Sequence, residues 1–244
     1  MKPFLILQLR PEDDASDSEF RAFLEKRDIS QDRTVRVRLE RDPLPANLSL
    51  DDFAGVVLGG GPGCVSDDPA TRSPDEARAE AAILSLMPEI SERDFPFMGC
   101  CAGIGILAHY LGGDVSKARF GEPVGPVECQ VTNDGESDPL FTDLPSTFES
   151  FVGHKEALQE LPPNSVHLMS SGPCPFQMIR HKSNVYATQF HPEADADVFA
   201  ERIRIYKGHG YFEPEDAERL TKACYAANVT VPSEILRRFF VRFQ

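Results

Sequence analysis

No apolar run in this 244-residue chain approaches bilayer length, which takes roughly 20 consecutive apolar residues. The opening MKPFLILQLR has a short apolar-leaning stretch before Arg10. It is too short for a secretory signal and its cleavage site, and is expected to be a first core strand. Basic residues are scarce: 25 Lys and Arg stand against 39 Asp and Glu, a formal net charge of -14. Such an acidic surface repels polyanions, so neither nucleic acid nor an anionic membrane is expected as a partner. The six cysteines, Cys64, Cys100, Cys101, Cys129, Cys174 and Cys224, form no C-x-x-C pair and no zinc spacing. Without a secretory signal they are expected to be reduced thiols of a cytoplasmic protein. Repeats, low-complexity linkers and metal-ligand clusters are missing too, so neither a metal nor an organic cofactor is expected.

What is present is a 41% hydrophobic composition, enough to fill the core of one large α/β domain or, at most, two small ones. Apolar runs at Pro3–Leu9, Thr34–Leu39, Gly55–Leu58 and Phe95–Gly99 read as strands. Helical stretches lie between them at Ser16–Lys26 and Pro74–Ile90, the latter with proline and acids in its first turn. Strands spaced by helices imply a parallel sheet with both faces covered. The middle changes character: Val124–Thr132, Thr147–Val152, Val166–Ser170 and Phe176–Phe190 read as strands and hairpins. After His191 the chain turns helical, over Ala194–Gly208, Pro214–Ala227 and Ser233–Phe243. One domain over 1–244 is expected, with a core over about 3–200 and a helical extension over about 201–244.

Three loops carry chemistry. Gly99-Cys100-Cys101-Ala102-Gly103 has the form G-x-C-x-G between a strand and a helix. That is a thiol version of the nucleophile elbow, a tight turn whose small flanking residues let the backbone crowd itself. The register selects Cys101 as nucleophile and leaves Cys100 as core filler. At a helix N-terminus, Cys101 is expected to ionise below the free thiol value of roughly 8.5. In Gln189-Phe190-His191-Pro192-Glu193 a histidine leaves a strand and an acid follows. His191 can take the thiol proton and later protonate a leaving amine, and Glu193 can orient the imidazole. Gly59-Gly60-Gly61-Pro62 offers bare backbone N–H groups that, with that of Ala102, can hold an oxyanion. The glycine loop lacks the Lys-Ser/Thr of a phosphate-binding loop.

Together, PFMGCCAG at 96–103, Gly60-Gly61-Pro62 and QFHPE at 189–193 resemble the signature loops of the class I, triad-type glutamine amidotransferases. The likeness is closest to the amidotransferase part of GMP synthase and extends to stand-alone bacterial amidotransferase-like proteins with a helical tail. It implies a flavodoxin-like α/β fold and a Cys101–His191–Glu193 triad. It also implies oxyanion donors at the Gly61 and Ala102 N–H groups. Gly60, Gly105, His154 and Glu156 become the candidate substrate contacts. Two positions depart from the family pattern. Gly105 stands where a glutamine usually touches the substrate, which makes room for a different one. The run Gly153-His154-Lys155-Glu156 replaces an S-H-x-D-like segment, and its Glu156 is placed to pair with a substrate ammonium. His154 is equally suited to a structural hydrogen bond beside the pocket.

The activity implied is release of ammonia from glutamine, or from a γ-glutamyl compound, through a γ-glutamyl thioester. A chain of this length leaves no room for a synthase domain, so a synthase would be a separate subunit. Two alternatives stand beside this. One is a γ-glutamyl amide or peptide hydrolase with no ammonia acceptor. The other is a non-catalytic binding module on the same scaffold. The oligomeric state is not legible.

Overall fold

A computed structural model of the chain describes residues 1–25 and 29–244. Lys26, the expected end of the first helix, lies outside these residues. Strand β1 (Phe4–Gln8) sets the pattern for the core. Its Phe4 and Ile6 face one side of the sheet, and Leu5 and Leu7 face the other, because successive side chains of a strand alternate. Helix α1 (Asp13–Glu25), β2 (Thr34–Arg38) and β3 (Gly55–Leu58) follow. Helix α2 (Pro74–Glu92) opens on a reciprocal cap. The Ser73 hydroxyl accepts from the Glu76 N–H, and the Glu76 carboxylate accepts from the Ser73 N–H. Pro88 lies inside α2 without ending it. Then come β4 (Phe97–Cys100) and α3 (Ala102–Tyr110).

The middle of the chain is mainly extended: β5 (Val115–Ser116), β6 (Glu122–Val131), a single helical turn α4 (Asn133–Glu136), β7 (Thr147–His154), β8 (Ala157–Leu158) and β9 (Ser165–Ser171). Strands β10 (Met178–His181) and β11 (Val185–Thr188) form a hairpin. Helices α5 (Ala196–Ile205), α6 (Ala217–Ala226) and α7 (Val231–Phe243) complete the order.

Among the described residues, nine strands form one sheet in the order β2-β1-β3-β4-β11-β10-β9-β6-β7. Strands β2, β1, β3, β4 and β11 are parallel. That order is the doubly wound, flavodoxin-like one, in which ligands gather beyond the carboxyl ends of the strands. From β10 to β7 the sheet continues antiparallel. One face packs Leu5, Leu58 and Phe97 against Ile83 and Met87 of α2 and Leu107 of α3. The other packs Phe4, Ile6 and Tyr186 against α1 and α7. Helix α7 is therefore no loose appendage. Its Ile235, Leu236, Phe239 and Phe240 are fully buried, worth roughly 1.5–3 kcal/mol each in removed apolar surface. Phe240 meets Phe4 edge-on with ring centroids 4.9 Å apart. Among the described residues, no helix is long and apolar enough to cross a membrane.

Candidate active site

The three loops singled out in the sequence leave the carboxyl ends of β3, β4 and β11, which are neighbours in the sheet. Cys101 sits between β4 and α3 with φ 53° and ψ −92°. Few non-glycine residues adopt this backbone, and strain of this kind clusters at functional sites. The turn is held from both sides, since the Cys101 N–H donates to Thr188 O at 2.8 Å and its carbonyl accepts from the Ile104 N–H at 3.1 Å. Glycine is required at its shoulder: a Cβ on Gly99 would lie 2.9 Å from Gly103 Cα. Cys100 points into the core and is fully buried.

His191 is anchored by its own N–H to Phe151 O at 3.0 Å. Its Nδ1 lies 2.9 Å from Glu193 Oε1. With Nδ1–H donating to that carboxylate, Nε2 keeps its lone pair free to act as a base. Cys101 and His191 form no direct hydrogen bond here, but both border Gly60. A Cβ on Gly60 would stand 2.9 Å from His191 Cε1 and 3.5 Å from Cys101 Cβ. Such contacts commonly tighten only with substrate bound. The N–H groups of Gly61 and Ala102 have no acceptor among the described residues. That of Gly60 is already taken, donating to Glu19 Oε1 at 3.2 Å.

Protonation differs from the sequence expectation. Burial pushes the Cys101 thiol up to about 12, opposed by Arg10 and reinforced by Glu193. The helix N-terminus does not bring it below the free thiol value. Burial also lowers His191, with Arg202 and Arg10 adding to the effect and Glu193 opposing it. Both shifts favour the neutral forms of the thiol and the imidazole. For Glu193 burial works upward, but the Arg202 guanidinium and His191 outweigh it and hold the carboxyl well below the usual carboxylate range.

Sequence reasoning missed the charges behind the site. Arg202 Nη1 lies 2.8 Å from Glu193 Oε1 and 3.1 Å from His191 Nδ1. Arg202 Nη2 stands 3.7 Å from Glu19 Oε1, which also accepts from Arg10 Nε at 2.8 Å. Gln8 Nε2 donates to the other Glu19 oxygen at 3.0 Å. A single buried lattice therefore joins the acid, the imidazole and the glycine loop. The available signal was charge on apolar stripes: Glu19 with Phe20 and Phe23 on α1, and Arg202 with Phe199 and Ile203 on α5.

Three of the expected substrate contacts, Gly105, His154 and Glu156, border a cleft with Cys101. His154 is held in its wall, with Nε2 2.7 Å from Glu122 Oε2 and Nδ1 2.8 Å from Glu156 O. The Glu156 carboxylate accepts from the Val65 and Ser66 N–H groups and from the Ser66 hydroxyl at 2.7–3.1 Å. Gly105 lies against the same carboxylate. A Cβ there would lie 2.7 Å from Glu156 Oε1, so that carboxylate fills the gap. Residues 206–212 also reach the site, which the sequence did not suggest. Tyr211 lines the cleft with Cys101, and Lys155 Nζ lies 4.6 Å from its ring centroid.

Sequence spacing gave no metal cluster, yet Glu122, His154 and Cys174 bring ligand atoms within 4.8 Å of one another. Hydrogen bonds account for the group. Glu122 also accepts from Gln177 and from Ser171.

Two clefts meet at Cys101 and share Gly61, Gly153 and Tyr211. One, of about 410 Å³, runs past Gly105, Lys155, Glu156 and Gln189. The other, of about 450 Å³, contains His191. A larger cleft of about 740 Å³ behind the 62–72 loop does not reach Cys101.

Known proteins resemble the chain in sequence and in fold. Over 154 residues the chain is 31% identical to a glutamine-hydrolysing GMP synthase of Thermosipho africanus, covering 62% of this chain and 26% of that relative. The chain thus matches about a quarter of the relative's length. A glutamine amidotransferase structure from Methylobacillus flagellatus superposes with a TM-score of 0.75 at 23% identity, over 100% of this chain and 96% of the other. One from Thermotoga maritima gives 0.72 at 21%, over 100% and 99%. At such identities the likeness is one of fold. The sequence model of the glutamine amidotransferase class-I family matches residues 18–204, more than half of the chain, and the chain belongs to that family.

Proposed function

We propose that the chain hydrolyses the side-chain carboxamide of glutamine, or of a γ-glutamyl compound, with Cys101 as nucleophile. The observation that carries this reading is the strained elbow at Cys101, which faces a buried imidazole already paired to a carboxylate. Substrate binding brings the carbonyl carbon to Cys101 Sγ while His191 Nε2 takes the thiol proton. The S–C bond forms, and the carbonyl oxygen gains charge that the Gly61 and Ala102 N–H groups hold. On collapse the C–N bond breaks, and the amine leaves with the proton from His191. Water then attacks the γ-glutamyl thioester. His191 accepts its proton and returns it to sulfur as the C–S bond breaks. Shifts that favour the neutral thiol and imidazole suit this route, because the proton moves only as the bond forms. Glu193 holds Nδ1–H throughout and Arg202 holds Glu193. No step requires a metal or an organic cofactor.

Relatives named as glutamine-hydrolysing GMP synthases support glutamine as a substrate and ammonia as one product; the acceptor would be a separate synthase subunit. The test uses a glutamine-shaped diazoketone, which should alkylate Cys101 in the wild-type chain. Glutamate release should vanish in Cys101→Ala and survive in Cys100→Ala. The nucleophile is misassigned if Cys100→Ala is the dead variant, and a binding module is indicated if no cysteine is labelled.

A further inference from the structure

Resting on the thiol-amidase reading, we infer that the cleft containing His191 is a chamber for the leaving amine, built for amines with an apolar substituent. Position decides which cleft is which. The departing nitrogen must meet the group that protonates it, and His191 borders one cleft only. The acyl half, with its amino acid head, then falls to the other cleft, among Lys155, Glu156 and Gln189.

The walls of the amine chamber are apolar. Val124, Phe199, Ile203, Tyr206, Tyr211 and Phe212 line it. Phe199, Ile203, Val124 and Phe212 belong to one hydrophobic cluster. Arg10 and Arg202 also border the chamber. Arg10 is paired to Glu19 and donates to the Tyr206 hydroxyl at 3.2 Å, and Arg202 is paired to Glu193. A cationic amine substituent meets these two cations and no carboxylate in the lining, whereas an apolar one replaces water against apolar walls.

The chamber's outer wall, residues 206–212, follows the span 18–204 that the family model matches.

The test measures glutamate release as kcat/KM for three substrates with one acyl group: glutamine, γ-glutamylmethylamide and γ-glutamylbenzylamide. The wild-type chain should prefer the benzylamide to glutamine by about tenfold or more, the discrimination an apolar pocket gives for each buried methylene. That ratio should fall about tenfold in Phe212→Ala. It should also fall in Val124→Ser, outside that segment, so a loosened 206–212 segment is not the sole explanation. Glutamine turned over as well as the benzylamide, with Cys101 still labelled by the diazoketone, overturns the chamber and leaves the amidase reading standing. A ratio unmoved by both variants overturns it as well. Absence of both labelling and release from all three substrates sinks the amidase reading itself.

Discussion

Replacing Arg202 with methionine removes the cation on which the His191–Glu193 pair leans while keeping an unbranched side chain in the α5 stripe. Arg202 is 5% exposed and Glu193 1%. Stripping one partner from a buried pair costs about 3–5 kcal/mol, because the other charge stays buried. A domain of this size is stable by about 5–15 kcal/mol, so the variant should still fold. Its Tm should drop by about 6–20 °C, at roughly 2–4 °C per kcal/mol. Activity gives the sharper readout. A unit charge at 4 Å is worth about 4 kcal/mol at an effective dielectric of 20. Glu193 offsets part of that, so removing Arg202 should raise the His191 pKa.

The sign follows from the charges around the ring. Arg202 disfavours imidazolium, so its loss raises the His191 pKa, and the acid limb of kcat/KM against pH should move to higher pH. Arg202→Lys keeps the charge but loses the fork, and should move the limb less. Stability has its own pH window. The folded values of Glu193 and His191 both lie below their usual ones. Between folded and unfolded values the unfolded chain binds more protons, so both groups make stability rise with pH and fall on acidification. For Glu193 the contribution is present above its unfolded value and is lost as pH falls through the folded one. Arg202→Met lessens the Glu193 depression, so acid unfolding should begin at higher pH. The electrostatic account is refuted if Arg202→Met keeps both its Tm and its acid limb.

Three further outcomes are expected. Alkylation of Cys101 by a neutral reagent should climb steadily between pH 7 and 10, following a thiol pushed up to about 12; a plateau by neutral pH would show a resting thiolate. His191→Asn should lower turnover more than Glu193→Ala, since the acid orients the base and does not transfer the proton itself; a fully active His191→Asn protein would remove the base from the scheme. Gly105→Ala should displace Glu156 from the Val65 and Ser66 N–H groups, where hydrogen bonds to a charged acceptor are worth about 1.5–3 kcal/mol each. Helix propensity returns only about 1 kcal/mol, so the Tm should fall. Gly105→Gln should fall at least as far instead of gaining affinity for glutamine, and a raised Tm in either variant would mean that the 64–66 loop does not depend on Glu156.

The parallel half of the sheet was legible because its signals are local. Alternation in Phe4–Leu7, the small residues around Cys101 and the strand-to-histidine turn at 189–193 each sit within a few residues. The order β10-β9-β6-β7 was not legible, because antiparallel pairing joins strands that sequence distance does not rank. The hydrogen bonds of Glu156 were not legible either, because its partners, Val65 and Ser66, lie about 90 residues upstream. Tyr211 was read as tail because nothing near it in sequence marks a pocket.

Glu19 and Arg202 show a middle case. Each breaks an apolar stripe with a charge, and a buried charge demands a partner. The sequence therefore held the demand twice, with opposite signs, on two helices whose contact only the fold reveals. Once α1 and α5 pack, the two demands meet. The same pair then reaches the Gly60 N–H on one side and Glu193 on the other. The loops of this site supply its reactive groups, but two helices fix where those groups stand, and substitutions on α1 and α5 should disturb catalysis without touching substrate.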